Sequence, residues 1–136
     1  SCFQTALTYI EKRAKGKKIF IGGKSLGARV AVKLASTSHS AHGVVCLGYP
    51  FHPPGKPDRL NAEVIRNLNV PTLFLQGERD PFAIMDYIRP VVEKSNRFSL
   101  IEVPGGDHSF KVKDQPESQV HALLSRYIET FMTELL

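Results

Sequence analysis

A three-layer α/β/α sandwich on a mainly parallel sheet is predicted by three observations on the 136-residue chain. Segments with helical apolar spacing alternate with short apolar runs. One run, Gly43-Val44-Val45-Cys46-Leu47-Gly48, has no polar face, as expected of a strand covered on both sides. No internal repeat or low-complexity tract points to another architecture.

Taking the elements in order, Phe3, Ala6, Leu7 and Ile10 recur at helical spacing, and Gly16 separates that helix from a strand over 17–22. Residues 26–37 return to helix, and 43–48 form the second strand. The prolines at 50, 53, 54 and 57 remove donors and fix φ, so 49–57 is irregular. A helix over 58–68 and a strand over 71–76 follow, then a helix over 82–95 and a strand over 98–103. The closing helix carries Val120, Leu123, Leu124, Tyr127, Ile128, Phe131, Met132, Leu135 and Leu136 as one apolar stripe. Asp114 and Glu117 ahead of it have the spacing of a capping box.

With 42% apolar and 23% charged residues, residues 1–136 compose one globular domain able to bury a core, which excludes a disordered tail. Two cysteines are too few for a disulfide framework, and Cys46 lies in an apolar run, so a reducing, cytoplasmic setting is expected. No stretch approaches the ~18 consecutive apolar residues of a membrane helix, and no membrane partner is expected. The net charge of +5 is uneven: residues 1–33 hold eight Lys or Arg against Glu11 alone. The densest part, 12–18, has no aromatics to stack bases, and cations there suit a helix C-terminus, so no nucleic-acid partner is expected.

Three loops after strands carry reactive residues. Gly23-Lys24-Ser25-Leu26-Gly27 has the G-x-S-x-G form of a nucleophile elbow between a strand and a helix. A serine on so tight a turn needs almost no side chain two positions before and after it, and Gly23 and Gly27 meet that need. The backbone N–H of Leu26 stands where it can stabilise an oxyanion. Phosphate-binding alternatives fail on counting, because a P-loop needs glycine at Lys18 and a dinucleotide fingerprint needs it at Lys24. The plainer alternative is a serine that caps the following helix.

The second loop is Gly77-Glu78-Arg79-Asp80-Pro81-Phe82, and the third is Pro104-Gly105-Gly106-Asp107-His108-Ser109-Phe110. Ser25 is a weak nucleophile unless His108 takes its proton, and Asp80 would hold the imidazole in the required tautomer. Glu78 and Asp107 rank below Asp80 as the acid, since Glu78 is close to the strand and Asp107 adjoins the base. Lys24, Tyr49, Phe51 and His52 are the expected substrate-binding residues, lining the cleft beyond the strand ends. His39, His42 and His121 lack paired ligand spacing, and no metal is expected.

These segments, from Gly22 to Arg29, Gly48 to Pro57, Gln76 to Phe82 and Gly106 to Phe110, resemble the dienelactone-hydrolase-like α/β-hydrolases. More narrowly, Tyr49-Pro50-Phe51-His52-Pro53-Pro54 is similar to the branch that includes the testis-expressed-thirty protein and the hydrolase-like domain of subunit three of the NSL complex. The resemblance covers essentially the whole chain and implies Ser25 as nucleophile, Asp80 as acid and His108 as base. It also implies strands ahead of the first helix, and a second oxyanion donor supplied by their loops. The chain is therefore expected to be the C-terminal portion of a roughly 200-residue hydrolase, or a shortened homologue that completes its sheet as a homo-oligomer or with the missing N-terminal segment.

The expected function is a serine hydrolase forming an acyl-enzyme with a small ester, thioester or lactone-like substrate, without a cofactor. Residues 49–70 leave no room for a large lid. The alternative is a hydrolase-like interaction or scaffold module whose triad is not productive.

Overall fold

The computed structural model describes residues 1–136. Its elements are α1 (Cys2–Ala14), β1 (Phe20–Lys24), α2 (Leu26–Thr37), β2 (Gly43–Leu47), α3 (Glu63–Arg66), β3 (Thr72–Gly77), α4 (Met85–Val92), β4 (Phe98–Val103) and α5 (Glu117–Glu134). All strands are parallel, in the order β1-β2-β3-β4, with Gly23 opposite Cys46, Cys46 opposite Phe74, and Phe74 opposite Leu100.

Alternation along β3 sorts the core into two layers. Phe74 packs with Val32, Cys46, Phe51, Ile65 and Ile88 beneath α2, α3 and α4. Leu73 and Leu75 pack with Val103, Phe110, Val120 and Leu124 beneath α5. β3 is buried at every position, as a central parallel strand requires. The expected sandwich and its mainly parallel sheet are therefore present.

Several boundaries differ from expectation. β1 begins at Phe20 and runs through both glycines to Lys24, because parallel pairing with β2 carries the strand up to the elbow. Of 58–68, only Glu63–Arg66 is helical; Asn61 N–H instead donates to Phe51 O at 2.8 Å, tying the preceding segment to the proline-rich loop. There is no capping box: α5 starts at Glu117 behind Pro116, and Asp114 adopts φ 60, a left-handed conformation that Asp tolerates. The α5 stripe is also only partly covered, with Val120 and Leu124 buried and Tyr127 37% exposed.

At the other end of the sheet, β1 has no neighbour on its outer side. Beside it, α1, β1 and α2 enclose an open groove of about 630 Å³ lined largely by apolar residues, Phe3, Ile10, Leu26 and Val30 among them. Only Leu7 of α1 is buried, so its apolar face is mostly uncovered. No helix is long and apolar enough to cross a membrane.

Candidate active site

The turn from β1 into α2 places Ser25 at the N-cap with φ 52. Its N–H donates to Leu47 O at 2.9 Å, which locks the turn to β2, and its side chain makes no capping bond. The helix-capping alternative is thus not realised, and Oγ is free for another partner. Gly23 is required sterically: a Cβ there would lie 2.4 Å from Gly27 C and 2.6 Å from Gly27 O. Gly27 is not, since a Cβ there meets nothing within 4 Å. This corrects the expectation that both glycines answer one steric need. The Leu26 N–H has no acceptor within the chain, as the first turn of a helix leaves it.

His108 reaches Ser25 from the loop after β4. Its Nε2 lies 3.0 Å from Ser25 Oγ, and its Nδ1 lies 2.8 Å from Asp80 Oδ2. An ionised carboxylate can only accept, so Nδ1 donates to Asp80 and Nε2 is left to accept from the serine hydroxyl. The loop is held closely. The His108 carbonyl would be 3.1 Å from a Cβ on Gly48, whose φ is +61, and the His108 ring packs on Phe82 at 4.6 Å between centroids. Lys24 Nζ donates to Ser109 Oγ at 3.3 Å, linking the elbow to the same loop.

Asp80 is 1% exposed, and its carboxylate is held from three directions. Besides His108, Oδ1 accepts the Phe82 N–H at 2.9 Å and Oδ2 lies 3.5 Å from Gln76 Nε2. Gln76 was not singled out from the sequence, although an amide closing the apolar run Thr72–Leu75 was a signal available there. Fully buried, it accepts from Tyr49 N–H at 2.6 Å and donates to Tyr49 O at 3.2 Å, so one side chain ties the start of the loop after β2 to β3 beside the acid. The competing acids have other partners. Glu78 accepts from Gly105 N–H at 2.6 Å, and Asp107 accepts from Ser109 and Lys111 N–H at 2.8 and 2.9 Å, bracing the loop that presents His108.

The expected cleft residues divide. Phe51 is 1% exposed and packs against Tyr49 and Phe74, so it is core and not cleft wall. His52 is 2% exposed with both ring nitrogens occupied: Nδ1 donates to Pro53 O and Nε2 accepts the Ile84 N–H, each at 2.9 Å. It is a strut between the proline-rich loop and the segment after Asp80, because a buried imidazole must satisfy both nitrogens and the two loops offer one donor and one acceptor. His52→Ala leaves the Ile84 N–H unpaired and is expected to cost about 1–3 kcal/mol of stability, seen as a lower thermal midpoint; a raised KM at unchanged midpoint would restore the cleft-wall role. Tyr49 lines a cavity next to Leu26, while Lys24, the fourth expected cleft residue, is exposed and directed to Ser109.

A family model for the alpha/beta hydrolase domain matches residues 1–135, and the chain belongs to that family. Solved structures share its fold at low identity. A serine hydrolase homologue from Coxiella burnetii superposes with a TM-score of 0.67 at 19% identity, over 98% of this chain and 57% of the other. The esterase domain of a Rhodothermus marinus protein gives 0.72 at 13%, over 95% and 65%, and dienelactone hydrolase from Anabaena variabilis gives 0.66 at 20%, over 96% and 55%. The chain thus spans somewhat more than half the length of these proteins.

Proposed function

We propose that the chain is a serine hydrolase of the carboxylic-ester type, which passes the acyl group of a small ester, thioester or lactone-like substrate to Ser25 and then to water. The observation that carries this reading is the continuous hydrogen-bonded line from Asp80 through His108 to Ser25 Oγ, at 2.8 and 3.0 Å. Ser25 Oγ attacks the carbonyl carbon as its proton moves to His108 Nε2. The tetrahedral adduct, its oxyanion facing the Leu26 N–H, then breaks the bond to the leaving alcohol or thiol, which takes that proton. In the second half, water gives a proton to His108 and attacks the acyl carbon, and Ser25 recovers the proton as the acid departs. Dienelactone hydrolase and the esterase domain among the structural neighbours support an acyl substrate. Kinship with the narrower branch rests on the Tyr49–Pro54 segment.

Leu26 supplies one oxyanion donor, and loss of a second typically costs about 10²–10³ in turnover. We infer that polypeptide covering the open edge of β1, from an N-terminal segment or a second copy, supplies it; the uncovered groove beside that edge supports association there. The two unpaired cysteines support a reducing, cytoplasmic setting.

Fluorophosphonate labelling followed by peptide mass spectrometry tests the acyl-transfer reading. An adduct on Ser25 is expected, and it should disappear in both Ser25→Ala and His108→Ala. A folded chain that stays unlabelled, also as part of a longer polypeptide, would favour the interaction-module alternative.

A further inference from the structure

The excess of positive charge in residues 1–33 is only partly explained by the helix end at 12–18. Arg29 and Lys33 lie one turn apart on α2, a spacing that puts both side chains on one helix face and makes their charges repel. Both are exposed, and neither makes an ion pair or a side-chain hydrogen bond within the chain. Together they line a cavity of about 250 Å³ whose other residues include Leu26, Tyr49 and Asn61, and no acidic side chain lines it.

Every polar side chain around this cavity can donate. Tyr49 is 2% exposed and its hydroxyl has no partner in the chain, yet no buried side-chain polar atom is orphaned, so that hydroxyl reaches the cavity. Burial pushes the phenol up to about 12, reinforced by Cys46 and opposed by the nearby Arg29 charge, so it stays an O–H donor at neutral pH. The Asn61 side chain has no internal partner either, leaving its amide N–H groups available. Guanidinium, ammonium, phenol and amide converging without a competing carboxylate make a setting that favours an anion. Its position is informative, because Leu26 belongs both to this cavity and to the elbow. Arg29 stands about 6 Å of helix rise along α2 from Ser25, the span of a short acyl chain, and Lys33 lies a further turn on with its long side chain leaning back toward the helix N-terminus.

We propose that this cavity is the acyl subsite for a substrate ending in a carboxylate, that is, a monoester or monothioester of a short dicarboxylic acid. The proposal rests on Ser25 being the acyl acceptor, and its test separates the two. Binding is measured calorimetrically on Ser25→Ala protein with mono-4-nitrophenyl glutarate and with its methyl-capped, neutral counterpart. The anionic ester is expected to bind about tenfold tighter, and Arg29→Gln and Lys33→Gln together should erase that preference. Equal binding of the two esters, no binding of the anionic one, or a preference that survives both substitutions would overturn the subsite. A phosphonate-ended analogue distinguishes the anion class, and tighter binding of it than of the glutarate would overturn the carboxylate assignment. Failure of the acyl-transfer reading shows separately, as an intact binding preference with no turnover of either ester by the unsubstituted chain.

Discussion

His108→Ala is expected to lower kcat on a 4-nitrophenyl ester by at least about 10³-fold. The side chain is only 23% exposed, stacks on Phe82 and pairs with the buried Asp80 carboxylate, so truncation should also lower the thermal midpoint, and kcat is compared well below that midpoint where the variant is folded. Ser25→Ala should fall to the same residual rate, and the double variant should be no slower, because a nucleophile without its base and a base without its nucleophile are the same loss. Asp80→Asn probes the far end of the line. An amide in place of the carboxylate can still present oxygen to the Phe82 N–H, now 2.9 Å from Oδ1, but it then turns its NH₂ toward His108 Nδ1. That forces the proton onto Nε2, where it points at Ser25 and removes the base, and a loss on the order of 10⁴ is expected. Losses below tenfold in all three variants, measured at saturating substrate, would assign the hydrogen-bonded line a structural role.

The sheet and the reactive line were legible for the same reason. Parallel strands buried on both faces leave continuous apolar runs such as Val44–Leu47, and in such sheets side chains that serve a ligand stand just past the carboxyl ends of strands. Ser25, Asp80 and His108 each follow a strand by a few residues, so order along the chain already implied convergence. What surrounds them depends on contacts between distant loops. Gln76 reads as a polar end to a strand, and only the fold brings Tyr49 to within 2.6 Å of it. His52 reads as a loop histidine beyond a strand end, yet a proline-rich loop packed over Phe82 and Ile84 buries it. Phe51 follows the same course, drawn into the aromatic cluster with Tyr49 and Phe74. Periodicity carries no information on such pairings, because they are set by where one loop folds back on another.

Gly23→Ala and Gly27→Ala should differ in sign, although the elbow pattern treats the two positions alike. A methyl on Gly23 would meet only backbone, at 2.4 Å from Gly27 C, 2.6 Å from Gly27 O and 2.8 Å from Ala28 N. Backbone at the start of α2 cannot step aside as a flexible side chain would, so β1 and α2 must separate, at a cost of roughly 2–4 kcal/mol. Because Ser25 sits between them, that separation also moves Oγ from His108, and a shift of about 1 Å is enough for a roughly 10²-fold slower reaction with fluorophosphonate. Gly27 lies in the first turn of a helix with open space where its side chain would be, so alanine there should raise stability by about 0.5–1 kcal/mol through lost chain entropy in the unfolded state. Urea unfolding of both variants with the labelling rate on Ser25 measures the two effects. Gly27 and Gly22 both line the open groove beside α1. A Gly27→Ala change that is stabilising in this chain but costly in a longer polypeptide would therefore show that the added segment packs onto the groove at Gly27, and would join the steric need for that glycine to the covering of the β1 edge.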